Sequence, residues 1–148
     1  MLQVLNYQQK RVAVAVLGKH NMPDNTHTLN FFNFIRLCRK PLHDGRYRTF
    51  HARRNDEMIQ GLIAKRVFGA KIKIAFTSTA QRNHSHFSRW LMRQMDGLIS
   101  TSSAASSYLV ERAPDIIVPH GVDTSHYVPA SSRELAWKQT GLPGRYGI

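Results

Sequence analysis

An α/β protein built on a doubly wound parallel sheet is predicted by three features of the sequence. Residues 12–18 read V-A-V-A-V-L-G, an apolar, β-rich run closed by glycine, which suits a strand buried on both faces. Further β-rich runs lie at 47–52, 72–76 and 115–119, and the segments between them carry helical spacing. Strands alternating with helices require right-handed crossovers, which lay the strands parallel with helices on both faces, a Rossmann-like arrangement. The central positions are expected to go to residues 12–17, 72–76 and 115–119, with their carboxyl ends on one edge.

The first helix is expected over 28–38, where Leu29, Phe32, Phe34, Ile35, Leu37 and Cys38 recur at roughly helical spacing. Thr26 or Thr28 would cap it, and Pro41 stops it. After the strand at 47–52, Asn55 offers a capping side chain, and Asp56 and Glu57 in the first turn complement the helix dipole. Met58, Ile59, Leu62, Ile63 and Val67 give this helix an apolar stripe, and Gly69 ends it before the strand at 72–76. Ser85 caps the next helix, with Phe87, Trp90, Leu91 and Met95 as its apolar stripe. Arg82, His86, Arg89 and Arg93 recur at i, i+4, i+7 and i+11, giving one cationic edge if the helix starts early enough to include Arg82. Leu98 and Ile99 open a short strand, 104–111 reads as a short helix and 115–119 as a further strand. The proline and serines of 128–132 mark a connection, so 1–127 is expected to form one domain, and 128–148, with a short helix at 133–141, to lead towards another.

In an open parallel sheet ligands bind beyond the carboxyl ends of the strands, and four such places carry unusual residues. After the strand ending near Phe50 comes H-A-R-R-N-D-E-M, residues 51–58. Here a helix amino end beside two guanidiniums suits a phosphate or carboxylate, and equally suits a solvated turn whose arginines pair with Asp56 and Glu57. Thr77, Ser78 and Arg82 follow Phe76, where the hydroxyls serve a ligand or a helix cap. After Val118 comes P-H-G-V-D: His120 can donate to a phosphate or carry a proton, Gly121 permits close backbone approach, and Asp123 can cap the next turn. Residues 101–103 offer small hydroxyl side chains alone. The H-x-H pair of His84 and His86 lacks the further convergent ligands that a structural zinc needs.

Composition narrows the partners. The 148 residues are 42% hydrophobic and 20% charged, which excludes a disordered tail, a collagenous repeat or a coiled-coil rod. Lysine and arginine number 21 against 9 carboxylates, a net charge of +12 that favours polyanionic partners. A nucleic-acid-binding α/β domain without catalysis is the competing class at a pI near 10.6. Against it, the basic residues follow a βα scaffold rather than a recognition helix or an aromatic β-platform. One cysteine, Cys38, excludes an internal disulfide framework within this sequence. The longest apolar run, residues 12–17, is far short of the about 20 residues of a spanning helix. Lys10 and Arg11 ahead of it are not followed by the A-x-A site of a secretory signal.

The segment from Pro119 to Asp123, followed by Tyr127 and Pro129, resembles the P-x-G-V-D-x-x-x-F-x-P stretch of family 4 retaining glycosyltransferases. The segments at 51–58, 76–82 (F-T-S-T-A-Q-R) and 89–102 (R-W-L-M-R-Q-M-D-G-L-I-S-T-S) are similar to a narrower group, the lipopolysaccharide core mannosyltransferases. The resemblance runs from about residue 12 to 148 and implies the amino-terminal, acceptor-side half of a two-domain GT-B enzyme. Such an enzyme moves a hexose, here mannose from GDP-mannose, to a lipid A–Kdo acceptor with retained configuration. The resemblance also implies that the opening strand with its glycine turn, and the donor-binding half, lie outside this sequence, so this chain alone is expected to be inactive.

By position the resemblance places His51, Arg53, Arg54, Asn55, Glu57, Thr77, Ser78, Gly121 and Asp123 at the interdomain cleft, with His51, Arg82 and His120 as candidates for the chemistry. The family's histidine near the reacting sugar has no counterpart at Thr77–Arg82. No cofactor or metal is expected, since the nucleotide sugar enters as a substrate. His86, Arg89 and Arg93 are expected to meet the anionic acceptor or the headgroups of the inner membrane's cytoplasmic face, and they suit a solvated helix face as well.

Overall fold

The computed structural model describes residues 2–18, 26–122, 128 and 131–141. In chain order its elements are α1 (Leu2–Gln9), β1 (Val16–Leu17), β2 (Thr28–Leu29), α2 (Phe31–Cys38), β3 (Arg48–Ala52), α3 (Asn55–Arg66), β4 (Ile72–Ser78), α4 (His86–Arg93), β5 (Gly97–Ser100), α5 (Ser103–Ser106), β6 (Ile116–Ile117) and α6 (Arg133–Thr140). The chain divides into two units, residues 12–120 and residues 1–11 with 121–148.

Within residues 12–120, strands β3 to β6 form one parallel sheet in the order β3-β4-β5-β6. The α/β, Rossmann-like architecture expected from the sequence is what forms. Its four strands advance across the sheet in chain order, with no reversal among them. Two strand placements differ from expectation. The run at 12–17 supplies only Val16–Leu17, which pair with Thr28–Leu29 in a separate two-stranded sheet. β6 stands at the edge of the four-stranded sheet, and both its isoleucines are exposed. An apolar run reports an affinity for burial but not which strand will cover it.

Phe50 lies beside Ile74, and Ala52 beside Phe76, which in turn lies beside Leu98. This face carries the core, closed by Phe34, Ile35 and Cys38 of α2, Met58 and Leu62 of α3, and Leu91 and Met92 of α4. Burying Ile72, Ile74 and Leu98 almost completely contributes about 1.5–3 kcal/mol each. Gly61 sets the approach of α3, because a Cβ there would stand 2.9 Å from the Phe50 ring. Two aspartates fasten the amino ends of the strands. Asp96 donates its N–H to the Ile74 carbonyl and accepts the Ile74 N–H on Oδ2 at 2.8 Å. Asp115 repeats both bonds on Leu98.

Helix boundaries follow side-chain caps. Ser85, Ser102 and Ser132 cap α4, α5 and α6, and Gly69 and Gly141 take positive φ just past α3 and α6. The cap of α2 is Asn30, and Thr28 sits in β2. α3 begins one residue earlier than expected, with Arg54 as a cap that makes no side-chain bond. In α4 the buried stripe is Ser88, Leu91 and Met92, whereas Phe87 and Trp90 stand outside it with their rings stacked, 6.1 Å between centroids. In the other unit, α6 matches the helix expected at 133–141, and α1 forms where no helix was expected. No helix among the described residues is long and apolar enough to cross a bilayer.

Candidate functional site

Four parallel strands put their carboxyl ends on one edge, so His51, Ser78, Ser100 and the residues after β6 share it. His51 and Thr77 occupy the same face of adjacent strands, opposite the core, and His51 Nε2 lies 2.7 Å from Thr77 Oγ1. Nδ1 of His51 has no protein partner among the described residues. Desolvation of the ring, reinforced by the Arg53 guanidinium, holds the His51 pKa below the ordinary histidine value. The lowered pKa favours the neutral imidazole, with Nε2 held by Thr77.

Directly after β3 the chain turns into α3. The Arg53 N–H donates to Glu57 Oε2 at 2.6 Å, so this carboxylate closes the turn instead of pairing with a guanidinium. Neither Arg53 nor Arg54 forms an ion pair among the described residues, and both are exposed beside the amino end of α3. Of the two readings of this segment, the turn with arginines tied to Asp56 and Glu57 is not the one that forms. Asn55 reaches across to α4, donating to Ser88 Oγ at 2.8 Å. That bond explains why the small Ser88, rather than Phe87, faces α3.

At the end of β4, Thr77 and Ser78 are buried. Ser78 Oγ lies 3.2 Å from His84 Nε2, a contact that sequence reasoning missed because the H-x-H pair was weighed only as a metal site. Burial lowers the His84 pKa, and the nearby Arg82 and Arg89 guanidiniums lower it further. Arg82 itself is exposed in the loop ahead of α4, so it takes no part in a helical stripe. The continuous cationic edge does not form. Arg89 and Arg93 both pair with Glu111, and Arg89 Nη2 lies 3.0 Å from His86 Nδ1. His120 is exposed two residues past Val118, Gly121 falls in the other unit, and Asp123 lies outside the described residues.

The site thus joins His51, Thr77, Ser78 and His84 along two strand ends, with two exposed guanidiniums at the adjoining helix start. Neutral donors and acceptors next to fixed positive charge suit a polyhydroxylated ligand bearing phosphate or carboxylate groups.

Two curated proteins are similar to this chain over most of its length. The lipopolysaccharide core biosynthesis mannosyltransferase LpcC of Rhizobium leguminosarum bv. viciae is 36% identical over 135 residues, 91% of this chain and 37% of the relative. The mannosyltransferase LpsB of Rhizobium meliloti (strain 1021), from the same biosynthesis, is 36% identical over 130 residues, 87% of this chain and 36% of the relative. This chain therefore spans little more than a third of the length of the proteins it matches. No protein-family model and no solved structure matches it.

Proposed function

We propose that this chain, a homologue of the lipopolysaccharide core mannosyltransferases, forms most of the acceptor-side domain of such an enzyme, with 1–127 as that domain and 128–148 as the passage into a donor-binding domain. In this reading mannose leaves GDP-mannose and joins a hydroxyl of a lipid A–Kdo acceptor with retained configuration. The reaction takes place at the cytoplasmic face of the bacterial inner membrane. The observation that carries the reading is 36% identity sustained over 91% of the chain, a stretch long enough to include both the His51–Glu57 turn and the end of β4.

Retaining transfer separates charge between sugar and diphosphate, so the protein contributes position and electrostatic stabilisation more than a nucleophile. Arg53 and Arg54, without an ion pair among the described residues, bind the departing diphosphate or the acceptor's acidic groups. His51, neutral and held by Thr77, orients a substrate hydroxyl through Nδ1. Ser78, Arg82 and His120 complete the edge, and Gly121 and Asp123 are proposed to contact substrate as well. Asn55 and Glu57 position the arginines through the bonds to Ser88 and to the Arg53 N–H.

The test joins this chain to the donor-side remainder of the Rhizobium leguminosarum relative and supplies GDP-mannose with detergent-dispersed lipid A–Kdo. Mannosylated acceptor is expected from the joined protein and none from the 148-residue chain alone. Robust turnover by the short chain, or a folded joined protein that never transfers mannose, overturns the reading.

A further inference from the structure

The outward face of α2 combines apolar and cationic groups in a way the catalytic reading does not use. Phe32 is 75% exposed and Leu37 44%. Arg36, Arg39 and Lys40 stand on the same side, exposed, while Phe34, Ile35 and Cys38 face the core. The apolar patch continues past the helix, because the Phe31 ring meets Phe32 at 6.2 Å and Phe68 at 6.1 Å, and Phe68 and Val67 are themselves exposed. No aspartate or glutamate occurs from residue 26 to 43, and the next acid, Asp44, is bound to Arg46. Arg36, Arg39 and Lys40 have no carboxylate partner among the described residues. A groove beside the helix adds His27, His43 and Arg48, the last donating to the Lys40 carbonyl at 2.7 Å.

Three cations can be explained by the carbonyls at a helix carboxyl end. That account leaves an almost bare phenylalanine in water and a run of positive charge with no counterion among the described residues. Aromatic rings at the headgroup–acyl boundary, with lysine and arginine on the phosphates, resolve both. We propose that the outward face of α2 is the surface on which this protein docks to an anionic lipid bilayer, with Phe32 and Leu37 entering the interface and Arg36, Arg39 and Lys40 meeting lipid phosphates. The need to be at a membrane rests on the lipid-linked acceptor proposed above; the choice of surface rests on α2 alone.

Co-sedimentation of the full chain with phosphatidylglycerol-containing and pure phosphatidylcholine vesicles tests it, at two salt concentrations. Binding is expected to the anionic vesicles, weakened by salt and far weaker to neutral ones. Replacing Arg36, Arg39 and Lys40 together by Gln is expected to cost on the order of a hundredfold in vesicle affinity, and Phe32→Ala about tenfold. All of these side chains are exposed, so melting curves should be unchanged. A triple variant that binds as the parent does, or duplex DNA that binds more tightly than vesicles at equal salt, overturns the proposal. Mannose transfer to the detergent-dispersed acceptor by the joined protein should be indifferent to the triple substitution. A joined parent protein that transfers no mannose, while its vesicle binding persists and is lost in the triple variant, would strike the enzymatic reading and leave the docking surface standing.

Discussion

α2 and α4 are two helices of the same length that pack into one core, and each displays aromatic rings and cations outward. Their electrostatics are opposite. In α4 the cations Arg89 and Arg93 converge on Glu111, which arrives from the loop after α5, and Phe87 and Trp90 cover one another. No acid among the described residues reaches α2, and Phe32 stands in solvent. A cationic stripe in a sequence is therefore not yet a cationic surface. What decides is whether an acid far along the chain folds back onto it.

The sharpest way to break this contrast is to neutralise each helix in turn. Arg36→Gln/Arg39→Gln/Lys40→Gln should reduce anionic-vesicle affinity at least thirtyfold more than Arg89→Gln/Arg93→Gln does, at roughly 1 kcal/mol for each free cation and little for a paired one. Equal losses would show that Glu111 does not neutralise α4.

A second comparison sets an acid bonded to a strand against one bonded only to side chains. Asp96 holds Lys65 at 2.6 Å and accepts the Ile74 N–H. Asp96→Ala should destabilise the fold by about 2 kcal/mol, through a lost charge-assisted bond and an unpaired strand N–H. Burial taken alone would raise the Asp96 pKa, but the bonds from Lys65 and Ile74, with the charges of Lys65 and Lys73, outweigh it and bring it below the ordinary aspartate value. In the depressed range the unfolded chain binds the proton more readily, so this stabilisation holds above the ordinary carboxylate range and fades as pH falls through the folded value. Denaturation curves at descending pH should show that acid limb in the parent and a flatter one in the variant.

Glu111→Gln should convert α4 into a second α2. Freeing Arg89 and Arg93 is expected to raise anionic-vesicle affinity about tenfold, with less than about 1 kcal/mol lost in melting experiments. No gain in affinity would mean that α4 faces away from the bilayer even when charged.

The smallest effect belongs to His51. Its folded pKa lies below the ordinary value of 6.5, so the unfolded state takes up the proton first. Stability should decline as pH drops from neutral through that range and level off below the folded value. His51→Gln should remove this shallow dependence, seen as melting temperatures at pH 7.5 and 5.5; an unchanged slope would assign it to His84.

Much of the fold was legible locally. Ser85 and Gly69 are short-range punctuation, and the structure uses each where the sequence led one to expect it. Non-local facts were not. Helical spacing put Phe87 and Trp90 on the buried stripe of α4, but the Asn55–Ser88 bond between two helices turns that stripe by about one residue. At the site, the turn from His51 to Glu57 was found from its chemistry. The His51–Thr77 and Ser78–His84 contacts were not, because each joins groups whose proximity depends on strand register or on the path of a loop. Asp96 and Asp115 did leave a signal, an aspartate immediately before or one residue ahead of two successive β-rich runs.

The order β3-β4-β5-β6 bears on how the protein is made. Each strand lies beside its predecessor in the chain, with partners such as Arg48 and Ile72, Ala75 and Gly97, and Ile99 and Ile116 separated by a single crossover. At a synthesis rate of about 5–20 residues per second, roughly one to four seconds pass between successive strands, while small units settle within milliseconds. The sheet can therefore grow vectorially as the polypeptide leaves the ribosome, each strand–helix unit closing onto a finished template. No strand of this sheet waits for a distant partner, and the advancing edge is always the strand most recently translated.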